Sequence, residues 1–94
     1  MSSSSFFRAF SASSPRQQLV VPDLGLGDMP LVLSLWLVPP GAAVLIGDRV
    51  AELAAGGVTV DLEAPLSGRL VRQFVDEDDR LATGMAIAEF EVGP

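Results

Sequence analysis

LVPPGAAVLIGDRVAEL, residues Leu37 to Leu53, comes back as FVDEDDRLATGMAIAEF, residues Phe74 to Phe90, at a constant offset of 37 positions. Leu37-Val38 answers Phe74-Val75, Val44 answers Leu81, and Gly47 answers Gly84. Val50-Ala51-Glu52-Leu53 answers Ile87-Ala88-Glu89-Phe90. Each copy reads as a strand, a polar or Pro/Gly turn, a Gly-marked bend and a second strand. The alternation is that of β-structure: Val50, Glu52 and Ala54 face opposite to Ala51, Leu53 and Ala55, and Val58, Val60 and Leu62 interleave with Thr59, Asp61 and Glu63. Two such units, each too small to be stable alone, predict face-to-face packing about a pseudo-twofold axis. The expected fold is all-β, a flattened barrel or sandwich of about eight short strands.

Working outward, the next feature is Gly56-Gly57, which separates the alternating runs Val50–Ala55 and Val58–Glu63. A two-residue hairpin turn of type I′ is expected there, with positive φ at both glycines. Further upstream, the apolar run Leu31 to Val38 is interrupted by Ser34 and closed by Pro39-Pro40. It is far shorter than the roughly 20 residues a helix needs to cross a bilayer, so it reads as a buried strand and no membrane insertion is expected.

Met1 to Gln18 differs from everything after it: seven of its first fourteen residues are serine, it holds no acid, and its charges are Arg8 and Arg16. The composition is that of an organelle transit peptide, but the segment is short and weakly amphipathic. It reads instead as a flexible extension, residues 1–18, with Phe6, Phe7 and Phe10 resting on the domain or on a partner. The domain proper is expected at 19–94, in the cytoplasm.

The composition bounds the chemistry. Ninety-four residues make one domain with a thin core, and 49% apolar residues are enough to fold it. Twelve acids face six basic residues, all of them arginine, giving a net charge of −6. Such a surface repels phosphate backbones, and no basic stripe interleaved with aromatics relieves it, so nucleic acid is not an expected partner. There is no cysteine and no histidine, which removes disulfides, thiolate and imidazole metal ligands, and the usual nucleophiles and general bases. No catalytic residue, metal ligand or small-molecule substrate is assigned. Lysine is absent from all 94 positions as well.

The other candidates read structurally. Asp76-Glu77-Asp78-Asp79 is the densest acidic cluster, but it lacks the ligand spacing of a calcium loop and occupies the turn equivalent to Pro39–Ala42, so it is a solvated turn. Trp36 lies inside an apolar strand and is expected as a partly buried aromatic. Gly25-Leu26-Gly27-Asp28 has no third glycine or lysine to make a phosphate loop. Ser34, Thr59 and Ser67 have no base to activate them.

In order along the chain stand Val21-Pro22-Asp23-Leu24-Gly25, Trp36-Leu37-Val38 before a turn with Gly41, Gly47-Asp48, and Ala64-Pro65-Leu66-Ser67-Gly68. Together, from Leu19 to Val92, they resemble the biotinyl/lipoyl attachment domain of 2-oxo acid dehydrogenase acyltransferases and biotin carboxyl carriers. The resemblance implies a barrel-sandwich hybrid of two four-stranded sheets. It also implies a hairpin turn displaying an Asp-Lys-Ala or Met-Lys-Met triplet, whose lysine amine receives lipoic acid or biotin. Counted back from Ser67-Gly68, the triplet falls on Gly56-Gly57-Val58, so Gly57 stands in the lysine's place. An amide-linked arm needs a primary amine, and an arginine, permanently protonated, does not replace it. The expectation is a non-catalytic member without cofactor, acting as a protein-docking or assembly module or a remnant carrier. The alternatives are an accessory subunit of a 2-oxo acid dehydrogenase or biotin-dependent complex whose partner chain carries the modified lysine, or a structural barrel of a transporter-adaptor assembly. The loop Leu24–Pro30 and the Gly56-Gly57 turn are the expected contact surface, by resemblance.

Overall fold

The repeat is visible strand by strand in the computed structural model, which describes residues 15–93. β1 (Arg16–Val20) leads into β2 (Leu31–Trp36), β3 (Ala43–Val44) and β4 (Arg49–Ala55). β5 (Val58–Glu63) leads into β6 (Gly68–Gln73), β7 (Arg80–Leu81) and β8 (Ala86–Val92). The last three strands of each half begin and end 37 residues apart. One sheet runs β1-β8-β6-β3 and the other β5-β4-β2-β7, with every pairing antiparallel. Exchanging β1 with β5, β2 with β6, β3 with β7 and β4 with β8 converts one order into the other, which is the predicted pseudo-twofold. The expected fold of two four-stranded sheets is therefore borne out.

The same symmetry reaches individual bonds. Leu37 N donates to Val50 O at 2.9 Å, and Phe74 N to Ile87 O at 2.9 Å. Gly41 N donates to Leu70 O and Asp78 N to Leu33 O, each at 2.7 Å. Gly41 and Asp78 share a left-handed backbone, φ 89° and 75°, which a short polar side chain such as aspartate tolerates better than most. The halves are also tied by side chains: Trp36 Nε1 donates to Val75 O, and Gln73 Nε2 to Val38 O, both at 3.1 Å.

Between the sheets lie dyad-related pairs, Leu33 with Leu70, Leu53 with Phe90 and Val50 with Ile87, all without solvent exposure. Each such side chain contributes about 1.5–3 kcal/mol of burial free energy. Among the described residues no polar or charged side chain is buried, so no ionic device competes with this apolar core.

Three expectations change. β1 opens at Arg16, so Arg16, Gln17 and Gln18 are strand rather than tail; the rest of the expected tail, Phe6, Phe7 and Phe10 included, lies outside the described residues. The Leu31–Val38 run is not buried throughout. Leu31 and Leu33 face the core, whereas Leu35, which strict alternation would place on the same face, is exposed, because the register of β2 on β4 shifts between Leu33 and Leu35; Leu37, beyond the end of the strand, is exposed as well. Val50 does not face opposite to Ala51. The register of β4 on β5 shifts between Arg49 and Ala51, and this bulge turns both Val50 and Ala51 inward.

Candidate functional site at the β4–β5 hairpin tip

The ladder between β4 and β5 runs to its end without slack: Ala54 pairs with Thr59 and Ala55 with Val58, leaving Gly56 and Gly57 as the whole turn. Gly56 has φ 62°, whereas Gly57 has no positive φ. Positive φ at the first central position alone is the pattern of type II′, not of the type I′ turn expected from Gly-Gly. The conformational demand for glycine therefore falls on Gly56. A Cβ added there meets the Met29 sulfur at 3.1 Å, while one added at Gly57 meets nothing within 4 Å. A side chain at Gly57 is sterically free, so its absence is not imposed by the turn.

Met29 reaches the tip because the first half is longer than the second at one place. Ten residues, Val21 to Pro30, join β1 to β2, whereas four, Ala64 to Ser67, join β5 to β6. The longer loop is pinned by Leu24 and Leu26 packing on the core. Asp23 Oδ1 accepts a hydrogen bond from Gly25 N at 2.9 Å, and Met29 N donates to Leu26 O at 3.2 Å. Between this loop and the β7 region lies a groove of about 290 Å³, lined among others by Leu24, Leu26, Asp28, Arg80 and Thr83. Gly56 and Gly57 do not line it.

The tip thus presents bare backbone at Gly56-Gly57 flanked by two exposed apolar side chains, Met29 at 46% and Val58 at 53%. It offers contact surface and no chemistry of its own. Sequence reading placed the loop Leu24–Pro30 beside the hairpin, and the Met29–Gly56 contact brings the two together. It did not single out Met29 or Val58, since an isolated Met or Val carries no mark of exposure in a sequence. The acidic turn Asp76–Asp79 lies between β6 and β7, away from this tip in the chain, with carboxylates engaged in holding the backbone. Asp79 Oδ2 accepts from Asp76 N at 2.8 Å, and Glu77 Oε2 from Trp36 N at 2.9 Å. Among the described residues, no three carboxylates converge as a metal site.

An amide-linked prosthetic arm does not fit the residues at this tip, because Gly57 has no side chain and no lysine occurs among the 94 residues. Comparisons with known proteins nevertheless point to carriers of such arms. Over 78 residues the chain is 26% identical to the dihydrolipoyllysine-residue acetyltransferase component of the pyruvate dehydrogenase complex of Corynebacterium glutamicum, covering 83% of this chain. It spans only 12% of that relative's length. Among solved structures, the lipoyl domain of the 2-oxoglutarate dehydrogenase complex of Azotobacter vinelandii superposes with a TM-score of 0.68 at 17% identity, covering 82% of this chain and 98% of that one. A single-chain, multi-domain long-chain acyl-CoA carboxylase gives the same TM-score at 18% identity, covering 99% of this chain and 9% of the enzyme. No family model matches the chain. The resemblance to lipoyl/biotinyl attachment domains read from the sequence is borne out, and the fold is that of a lipoyl domain.

Proposed function

We propose, on the premise of this lipoyl-domain fold, that the chain is a non-catalytic docking module that keeps the carrier scaffold without the carrier's covalent arm. One observation carries the reading. Gly57, the position that the resemblance assigns to the modified lysine, sits at the hairpin tip in open space, and no lysine occurs in the sequence to replace it. What remains at the tip is a surface of backbone, Met29 and Val58, suited to a protein partner and not to acyl or carboxyl transfer.

The likeness to an acyltransferase component favours one class of partner over others. The module sits in a 2-oxo acid dehydrogenase or biotin-dependent complex in which another chain supplies the modified lysine. Intact-mass measurement of the chain purified from its native host tests the first statement: the sequence mass alone is expected, and added lipoyl or biotinyl mass ends the proposal. Co-purification tests the second, since dehydrogenase or carboxylase subunits are expected, and membrane-complex proteins in their place overturn the choice of partner while leaving the first statement standing.

A further inference from the structure

The two sheets carry different charges on outward faces that the pseudo-twofold makes equivalent. In the sheet β1-β8-β6-β3, one row across the strands holds Gln18, Glu89 and Arg72. The corresponding row of the other sheet holds Asp61, Glu52 and Leu35. A register shift precedes the last residue of each row, between Leu70 and Arg72 and between Leu33 and Leu35, and turns its side chain outward. Glu89 therefore has an arginine opposite it in Arg72, and an ion pair with Arg16 at 3.5 Å. Glu52 has a leucine on one side and a second carboxylate, Asp61, on the other, so that like charges face each other across a strand pair, a destabilising arrangement. On the first sheet Arg16, Arg69 and Arg72 stand with Glu89 and Glu91, whereas on the second Arg49 alone stands with Glu52, Asp61 and Glu63.

The unbalanced row borders an open groove of about 600 Å³, lined among others by Leu37, Val38, Asp48, Arg49, Glu52 and Asp61. Two of its carboxylates are engaged: Asp48 Oδ2 accepts from Leu45 N at 2.9 Å, and Asp61 Oδ2 from Arg49 Nη1 at 3.3 Å. Glu52 Oε2 accepts from the Ser34 hydroxyl at 3.0 Å, a neutral donor, and among the described residues it forms no ion pair. Leu35 and Leu37, 43% and 40% exposed, give the same face an apolar edge. The side chain that suits both features has an aliphatic stem and a forked cationic head. Arginine is that side chain, because its methylenes cover apolar surface while its guanidinium meets carboxylates through parallel N–H···O bonds.

We propose that this face docks a partner protein through an arginine side chain, its stem on Leu35 and Leu37 and its guanidinium between Glu52 and Asp61. The partner then supplies to Glu52 the cation that Arg72 supplies to Glu89 within the chain. The site lies three residue pairs down the β4–β5 ladder from Ala55 and Val58 and requires nothing of Gly57, so it stands or falls apart from the reading of the tip.

Amide NMR titration of the full 94-residue chain tests it, with two acetylated pentapeptide amides as probes: ALRLA, and its counterpart with norleucine in place of arginine. At low salt ALRLA is expected to shift the amides of Leu35, Leu37, Arg49, Glu52 and Asp61, and the norleucine peptide to leave them in place. Added sodium chloride is expected to weaken the ALRLA shifts. Affinity is expected to fall about tenfold in E52Q, which keeps an acceptor for Ser34 and removes the charge. L35R places an arginine where Arg72 stands on the other sheet and is expected to abolish the shifts, while unchanged resonances of Leu33, Leu53 and Leu70 report an intact core. Equal shifts from both peptides, ALRLA binding that survives E52Q and L35R, or no shifts with ALRLA at millimolar concentration each overturn the proposal. So do the same shifts on concentrating the chain alone, with a doubled molar mass by light scattering, which assign the face to a second copy.

Discussion

At the hairpin tip, Gly56 turns β4 into β5 with φ 62° and Gly57 faces open space. At the other pole Gly93, 37 residues beyond Gly56, lies against Gly68 so closely that its Cβ would fall 2.7 Å from Gly68 Cα. A Cβ on Gly68 would overlap Glu91 O and come within 2.9 Å of Gly93 N. The dyad counterpart of Gly68 is Leu31, a buried side chain with room to pack. Glycine thus answers three different needs in one small barrel: backbone against backbone at Gly68, a left-handed turn at Gly56, and no structural need at Gly57. Only the last is free to reflect function, and that is why the chemistry at Gly57 carries the reading of what the chain does.

Substitutions at these three positions separate the needs. The largest effect is expected for G68A, where the clash is with backbone that cannot rotate away; about 3 kcal/mol of stability should be lost in denaturant unfolding. A loss below about 1 kcal/mol would mean that β6 and β8 do not approach so closely. G56A is expected to cost about 1–2 kcal/mol, from the left-handed φ together with displacement of the Met29 sulfur. Combining it with M29A should recover the part due to the sulfur and leave the part due to φ, a difference read as coupling between the two substitutions. The smallest effect is expected for G57K. With open space and no positive φ, its midpoint should move by less than about 0.5 kcal/mol. A cost near that of G56A would show that Gly57 is held by the turn after all, and the absence of lysine would then need no functional explanation.

Much of this was legible in the sequence because the repeat spans two strands and their turns. The matches from Leu37–Leu53 to Phe74–Phe90 fix β3, β4, β7 and β8 in the chain, and the shared Gly47 and Gly84 mark the bends before β4 and β8. The candidate site rests on a single position, Gly57, assigned through the resemblance by counting back from Ser67-Gly68. Three things were not legible, each for a local reason. The turn type depends on how the β4–β5 ladder closes, and Gly-Gly is compatible with both primed forms. The bulge that buries Val50 beside Ala51 breaks strict alternation, and no residue type announces it. The necessity of Gly68 arises from contact with Glu91 and Gly93, more than twenty residues away, so the motif showed a glycine without showing its cause.

The sheet orders have a bearing on how the molecule comes into being. Of the six strand pairings, β1 with β8, β3 with β6, β4 with β5 and β2 with β7 join one half of the chain to the other. Neither half can complete a sheet before its counterpart has emerged, and apart from the β4–β5 hairpin these pairings close long loops. Acquisition of the native state is accordingly expected on the millisecond-to-second scale of barrels dominated by distant pairings. A nascent chain released before β8 leaves the ribosome would hold two unfinished sheets with bare edges, the condition in which small β-proteins are most prone to aggregate.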